Sequence, residues 1–218
     1  MVEHKVLITT SGVGSRLGEL TDYTNKSLVR LGDKPSISHI IDNYPEKTDF
    51  VITLGYYGDH IKQYLQIAHP KKKFTFVKVD KYEGQGSSLA YSILQAKNKL
   101  QCPFIFHACD TITFSKVPDP DINWCASGHA EQEIVSQYRS LNVSSDFVSK
   151  INDKGCSNYD FVYIGVCGIN DYDIFWKEAE KLCEKNSNNM QLSDCDIINL
   201  MLRSVKFKNV EIGGWCDM

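Results

Sequence analysis

The sequence lacks three features that would point to common classes of function: an excess of basic residues, metal-spaced cysteines and a long apolar run. Lysine and arginine together number 24, and aspartate and glutamate 27, so the formal net charge is −3. Because a nucleic-acid partner requires clustered cations to neutralise its phosphates, this charge balance disfavours one. No apolar run reaches the roughly 18 residues of a membrane-spanning helix, and the N-terminus lacks a signal-peptide core. We therefore expect no nucleic-acid partner and no membrane association.

Disulfide bonds are not expected either, although the chain has eight cysteines. None of them forms a C-x-x-C pair or a zinc-ligand spacing, and several lie in apolar runs, as Cys167 does. A chain of this length buries about 70% of its unfolded surface, so its core needs no covalent support. Because scattered reduced thiols are typical of cytosolic proteins, we expect a cytoplasmic location.

The whole chain, residues 1–218, is expected to form a single domain. No segment is rich enough in glycine, serine or proline to be an interdomain linker, and no internal repeat is present. The sequence stops abruptly at Met218, just past Asp217, an ending that also suits the N-terminal part of a longer protein. Fusion to a further domain and assembly into a homo-oligomer are both left open by the sequence.

Short apolar runs alternate with segments of helical periodicity along the first half of the chain. The apolar runs predict strands at residues 6–10, 50–54, 74–79 and 103–108. Helical spacing predicts helices at residues 37–44, 59–68 and 87–100. Beyond Asp110 the pattern predicts strands at 133–138, 147–151 and 161–169, and helices at 172–185 and 194–203. The predicted fold is α/β, a three-layer Rossmann-like mixed, mostly parallel sheet flanked by helices.

A glycine-rich loop at residues 11–18 follows the first predicted strand and is a candidate anion site. Backbone N–H groups in such a loop can hold phosphate oxygens. The dinucleotide fingerprint fails because Leu17 stands where glycine is required, and the Walker pattern fails because Asn25 precedes Lys26. What remains is Arg16, which can bind two phosphate oxygens at once, and Lys26, which supplies a point charge.

Three blocks of sequence, in order and tightly spaced, resemble the signature of the sugar-phosphate nucleotidyltransferases. That family's pattern is G-x-G-[ST]-R-L, then P-K-x-L, then K-P-x-[IL]. The chain departs from it at Asn25, where proline is usual, and at Thr9-Thr10-Ser11, where Leu-Ala-Ala is commoner. The matching blocks are residues 7–17, 25–28 and 34–37. The resemblance implies a single nucleotidyltransferase domain that joins an NTP to a phosphorylated acceptor and releases pyrophosphate.

The resemblance also implies roles for particular residues. Arg16 and Lys26 are the catalytic candidates. Asp110 and Asp217, the latter in a W-x-D block, match metal-binding aspartates and imply Mg²⁺ as cofactor, a cation that suits carboxylate and phosphate oxygens. Lys154 and Asp194 match positions near the acceptor. The nucleotide-binding candidates are Ser11, Gly12, Val13, Gly14, Ser15, Gln85, Gly86, Ser87 and Ser88.

The expected partners are an NTP and a small phosphorylated acceptor. By family analogy a pyrimidine NTP is favoured, CTP or UTP/dTTP, with a sugar phosphate or a relative such as phosphocholine as acceptor, for surface polysaccharide synthesis. No general base is required because a phosphate is already ionised, so His107 and His129 are expected to be structural. Two alternatives stay open: a nucleotide-binding regulatory domain of this fold without turnover, and a metal-dependent glycosyltransferase whose D-x-D would be Asp119-Pro120-Asp121.

Overall fold

The computed structural model describes residues 3–131 and 134–218, and within them the chain builds a nine-stranded sheet flanked by helices. The strands are β1 Lys5–Thr9, β2 Arg30–Leu31, β3 Lys34–Pro35, β4 Asp49–Leu54, β5 Lys73–Lys78, β6 Phe104–Ala108, β7 Thr111–Thr113, β8 Trp124–Gly128, β9 Ser140–Ser144, β10 Phe147–Asn152, β11 Phe161–Ile169, β12 Phe207–Glu211 and β13 Trp215–Asp217. The α-helices are α1 Ser36–Asp42, α2 Gly58–Ala68, α3 Leu89–Gln95, α4 Tyr172–Lys185 and α5 Asp194–Met201. Short 3-10 segments span Ser15–Thr21, Lys26–Leu28, Lys97–Lys99 and Val135–Gln137.

The main sheet has the order β5-β4-β1-β6-β11-β8-β12-β10-β9 and is mixed. Its first four strands are parallel, and β12 is parallel to β8, whereas the other neighbouring pairs are antiparallel. The α/β class is therefore confirmed, but a mostly parallel, Rossmann-like sheet is not. The reason lies after Asp110, where strands return without helical crossovers. For example, β9 and β10 form a hairpin whose turn residues Ser145 and Asp146 both have positive φ.

The predicted strand at residues 133–138 is wrong where the structure can be compared with it. Residues 132 and 133 lie outside the described part of the chain, and Val135–Gln137 is a 3-10 turn. Val135 and Tyr138 both pack against one hydrophobic cluster, at the three-residue spacing of a turn rather than the alternation of a strand. The predicted helix at 87–100 is also shorter, with α3 ending at Gln95 and a 3-10 turn following.

Two hydrophobic clusters cover the two faces of the sheet. Successive residues of a strand point to opposite faces, so Leu7 of β1 joins a cluster with α3, α4 and α5, while Val6 and Ile8 join a cluster with α1 and α2. Burial on both sides explains why the central strands read as continuous apolar runs. It also leaves the carboxyl ends of β1, β4 and β6 together at one edge of the sheet, where polar loops follow.

Two expectations about the chain as a whole can be compared with the structure. All eight cysteines carry free thiols, as their spacing predicted. Within residues 3–131 and 134–218, no helix has both the length and the apolar character required to cross a bilayer.

Candidate active site

The glycine-rich loop leaves β1 and borders the larger of two adjoining cavities. Gly14 has φ of 74°, and a Cβ there would lie 2.9 Å from Cβ of Lys26, so a larger residue would be both strained and crowded. Gly18 interrupts the Ser15–Thr21 segment with φ of 54° and ψ of −134°, a conformation open mainly to glycine. The loop thus brings Arg16 and Lys26 to the wall of a cavity of about 460 Å³.

Most of the predicted nucleotide-binding residues line this first cavity, but three do not. Ser88 also caps α3 by accepting a hydrogen bond from the backbone N–H of Tyr91 at 3.0 Å. The residues that line the cavity are Ser11, Gly12, Gly14, Ser15, Ser87 and Ser88. Val13, Gln85 and Gly86 are not among its lining residues, and the Gln85 side chain is exposed.

Lys26 and Asp110 form an ion pair on the wall of the first cavity. The Lys26 ammonium donates to Oδ2 of Asp110, and the two side chains are only 13% and 21% exposed. Lys26 starts the Lys26–Leu28 turn, and Asp110 follows β6, so the pair joins the glycine-loop region to the central strand. The structure thereby brings together two residues that are 84 positions apart in the sequence.

Asp217 reaches the site because β13 pairs with β7. In this antiparallel pair Asp217 lies opposite Thr111, the residue after Asp110. Trp215 anchors the strand: a Cβ on Gly128 would lie 2.2 Å from Nε1 of Trp215, so the indole lies directly against that glycine. The hydroxyl of Tyr138 donates to Oδ1 of Asp217 at 2.7 Å. Burial and this carboxylate together raise the pKa of Tyr138.

A second cavity, of about 250 Å³, adjoins the first. Arg16 and Asp110 line both cavities, while Lys154, Asp194 and Asp217 line only the second. The structure therefore places all the residues predicted for the acceptor and the metal around one space.

The second cavity contains a cation that sequence reasoning missed, Arg139. Its guanidinium pairs with Asp153 at 2.9 Å and with Asp196 at 3.5 Å. Burial lowers the pKa of Lys154, and the nearby Arg16 and Arg139 lower it further. No spacing signal marks Arg139 in the sequence, because it precedes a strand that turns back toward the site only in the folded sheet. Three cations bordering one small space are suited to binding a phosphate dianion.

Asp194 is the buried carboxylate of the second cavity. It is 4% exposed and accepts a hydrogen bond from the hydroxyl of Tyr163 at 2.7 Å. Burial raises the pKa of Asp194, and the bond from Tyr163 opposes that effect. The second cavity is therefore lined by a buried carboxylate as well as by three cations.

The carboxylates fit a hard divalent cation in chemical type. Asp110 and Asp217 offer oxygen ligands, which Mg²⁺ prefers. Within the described residues no group of three or more His, Cys, Asp or Glu side chains is gathered as for a metal ion. A Mg²⁺ ion at this pair would therefore take its other ligands from substrate phosphates and water. The neighbouring Cys109 is no competitor, because burial raises the pKa of its thiol to about 12.

His107 and the two aspartates of the D-x-D sequence do not line either cavity. His107 is fully buried; its Nδ1 is 2.8 Å from the Tyr44 hydroxyl and its Nε2 is 2.9 Å from the carbonyl of Thr111. Burial lowers the pKa of His107 to about 4, which agrees with a structural role. Asp119 and Asp121 of the D-x-D sequence line neither cavity within the described chain; Asp119 borders a different one, beside His4.

Comparison with known proteins agrees with this geometry. No family model matches the sequence. Glucose-1-phosphate cytidylyltransferase of Salmonella typhimurium is 40% identical over 62 residues, which cover 28% of this chain and 24% of that protein. Choline-phosphate cytidylyltransferase of Streptococcus pneumoniae is 30% identical over 106 residues, 48% of this chain and 44% of that protein. The matches thus span less than half the length of these curated relatives.

Solved structures share the fold over nearly the whole chain. CTP:phosphocholine cytidylyltransferase from Streptococcus pneumoniae superposes with a TM-score of 0.76 and 19% identity, covering 100% of this chain and 94% of that one. UDP-glucose pyrophosphorylase from Acinetobacter baumannii gives a TM-score of 0.79 and 15% identity, covering 100% and 88%. At these identities the structures show the fold, and the curated relatives add matching sequence. The comparisons thus show the fold of these enzymes over the whole chain and sequence similarity to cytidylyltransferases over less than half of it.

Proposed function

We propose that the protein transfers a nucleoside monophosphate from an NTP to a small phosphorylated acceptor and releases pyrophosphate. The observation that carries this proposal is the junction of the two cavities at Arg16 and Asp110. One cavity is bordered by a glycine loop suited to a triphosphate, and the other by cations suited to a second phosphate. Such an arrangement lets two polyanions meet, which is the main physical obstacle to this reaction.

In the proposed reaction an oxygen of the acceptor phosphate attacks the α-phosphorus of the NTP. The bond between that phosphorus and the oxygen bridging to the β-phosphate breaks, and pyrophosphate leaves with the electron pair. The glycine-loop amides and Arg16 would hold the β- and γ-phosphates, where negative charge builds up on the leaving group. Lys26 would lie beside the α-phosphate, and Lys154 with Arg139 would hold the acceptor phosphate.

Asp110 and Asp217 would hold Mg²⁺ in this proposal. When bound, the ion would supply charge neutralisation for the phosphate oxygens. The chain itself supplies the rest: it aligns the substrates, and Lys26 and Arg16 offset charge that shifts during transfer. No side chain needs to remove a proton, because the attacking phosphate is already ionised.

For the substrates, we propose CTP with a sugar 1-phosphate, and phosphocholine as the second candidate acceptor. CTP is supported by the names of the curated relatives, which are cytidylyltransferases. Phosphocholine is supported by the buried Asp194 carboxylate and the Tyr138 and Tyr163 rings in the second cavity, which suit a cationic headgroup. The product would serve surface polysaccharide synthesis, in the cytoplasm, where free NTPs are available.

A pyrophosphate-release assay tests the function directly. CTP, UTP, dTTP, ATP and GTP are each combined with glucose 1-phosphate or phosphocholine, with glucose and choline as matched acceptors that lack the phosphate. We expect release only with a phosphorylated acceptor, and the fastest release with CTP. Binding of an NTP without release across the whole panel would favour the regulatory alternative. Hydrolysis of a nucleotide-sugar without use of any free NTP would favour a glycosyltransferase.

A further inference from the structure

The buried side chain of Asn25 connects three separate segments of the site. Asn25 is 1% exposed. Its Nδ2 donates to the carbonyl of Thr10 at 2.8 Å and to the carbonyl of Tyr56 at 2.7 Å. Its Oδ1 accepts from the backbone N–H of Ser27 at 2.9 Å and from the Ser27 hydroxyl at 2.8 Å. Both amide hydrogens and the carbonyl oxygen are therefore used inside the protein.

Each of these contacts leads to a part of the site. Thr10 immediately precedes the glycine loop. Tyr56 donates its backbone N–H to the carbonyl of Ser11 at 3.0 Å, and its hydroxyl donates to the carbonyl of Thr21 at 3.0 Å. The glycine-loop region is thus tied at its start and at its end to Tyr56, whose own carbonyl is tied to Asn25.

The third contact fixes the start of the Lys26–Leu28 turn. Asn25 is the N-cap of this turn, with extended backbone angles (φ −76°, ψ 145°). Lys26 follows directly, packs its Cβ against Gly14 and pairs with Asp110. A residue with the same backbone angles but no side-chain amide, such as proline, would leave the carbonyls of Thr10 and Tyr56 without the donor that Asn25 provides.

We propose that Asn25 is a positioning residue that holds Lys26 and the glycine loop in a fixed relation to each other. It lets one cation act at the α-phosphate while the loop amides hold the β- and γ-phosphates of the same triphosphate. The proposal rests on the proposed function, because it assigns Asn25 to the reaction rather than to stability alone. Asn25 lines the first cavity, but it is 1% exposed and its side-chain polar atoms are all used inside the protein, so we assign it an action through Lys26 and the loop.

The test compares substitutions at Asn25 with substitutions at a matched asparagine, Asn123, which directly precedes the interior strand β8. Asn123 is 5% exposed and accepts from the backbone N–H groups of Asn170 and Asp171 at 2.8 and 3.0 Å. Asn25→Ser and Asn123→Ser therefore remove similar sets of buried side-chain hydrogen bonds. We expect both to lower Tm, but only Asn25→Ser to lower kcat, by about 30- to 100-fold, since small misplacements in a reacting site cost that much. The KM for the acceptor should stay within about threefold in both variants, because neither residue lines the second cavity.

A second variant separates the two donated hydrogen bonds from the cap. Asn25→Asp keeps an oxygen for Ser27 but removes the donors to Thr10 and Tyr56, so it should lower kcat at least as much as Asn25→Ser. Retention of the parent kcat by Asn25→Asp, or an equal loss of kcat in Asn25→Ser and Asn123→Ser, would overturn the proposal. If Asn25→Asp does not fold, the comparison of the two serine variants still decides.

Hydrogen exchange gives a readout that does not depend on turnover. Asn25→Ser should raise amide exchange in residues 10–28 and 54–60 and leave the rest of the sheet as in the parent, whereas Asn123→Ser should not affect those segments. Uniformly raised exchange would show a merely structural role. If the parent protein releases no pyrophosphate with any substrate pair, the proposed function fails, while the exchange pattern still reports whether Asn25 fixes this loop.

Discussion

Lys26 shows how one side chain can be placed by its neighbours before any substrate arrives. Its ammonium is held by Asp110, its Cβ fills the space that Gly14 leaves, and the turn that begins with it is capped by Asn25. A flexible lysine is thereby restricted to one wall of the larger cavity. The cost of ordering its side chain is met during folding and does not recur at each turnover.

Lys26→Met should lower kcat by about 100-fold and leave the dissociation constant for the NTP within a few fold, because the ammonium matters most when charge shifts at the α-phosphorus. Steady-state kinetics and NTP titration measure the two quantities separately. Lys97→Met is the matched control, since Lys97 pairs with Glu180 and neither residue lines either cavity. A variant at position 26 with unchanged kcat and a raised KM for the NTP would show that Lys26 only binds the nucleotide.

The acceptor site proposed around Lys154 and Arg139 should be sensitive to high pH. A lysine with a lowered pKa loses its proton at a lower pH than a free lysine. The value of kcat/KM for the acceptor should therefore begin to fall at a lower pH than it would with an ordinary lysine at this position. Arg139→Gln removes one of the cations that lower this pKa and should shift the alkaline limb to higher pH, while it also weakens the acceptor. A limb that stays in place in Arg139→Gln, or one that persists in Lys154→Met, would assign the titration to another group.

At the scale of elements, the residues around the first cavity could be predicted from the sequence, and those around the second cavity only in part. The glycine loop and Asp110 follow strands that read clearly as apolar runs, and the edge where parallel strands end is a general place for ligands. Arg139 and Tyr138 could not be found in this way. Their position depends on β9 and β10 pairing beside β11 and β12, a long-range arrangement that no local pattern encodes. The same limit explains why the antiparallel half of the sheet was not foreseen.

The short strand β13 carries Asp217, the proposed Mg²⁺ ligand, and a substitution beside the strand tests whether the strand positions that side chain. Gly128→Ala would force a Cβ within 2.2 Å of Nε1 of Trp215 and displace the strand that carries Asp217. Gly168→Ala creates the same clash with Nε1 of Trp124, also at 2.2 Å, at the other end of strand β8. Both should lose about 1–3 kcal/mol of stability from overpacking. Only Gly128→Ala should raise the Mg²⁺ concentration needed for half-maximal activity; an equal shift in Gly168→Ala would mean that general loosening is the cause.

For the molecule as a whole, charge is distributed unevenly in a way that suits polyanionic substrates. The chain is net negative, at −3, yet Arg16, Lys26, Arg139 and Lys154 border the two joined cavities. Asp110 and Asp217 line the second cavity too, so carboxylates oppose the cations there, and the proposed Mg²⁺ would neutralise them. Nucleotide affinity should therefore depend on the ion as much as on the side chains.

This coupling leads to a prediction about the folded state as well as activity. Mg²⁺ with CTP at about 100 times its dissociation constant should stabilise the parent by about 2.7 kcal/mol, seen as a rise in Tm. Asp110→Asn and Asp217→Asn should each lose most of that rise and most of the activity, and the double variant should lose little more, because ligands of one ion act as a unit. Without ligand, both variants should unfold close to the parent temperature. In Asp110→Asn the new amide oxygen can still accept from the Lys26 ammonium, so the largely buried lysine keeps a hydrogen-bond partner, and in Asp217→Asn the amide oxygen can still accept from the Tyr138 hydroxyl. Additive losses in the double variant, or a full Mg²⁺–CTP stabilisation of Asp217→Asn, would show that Asp217 is not a ligand of the same ion.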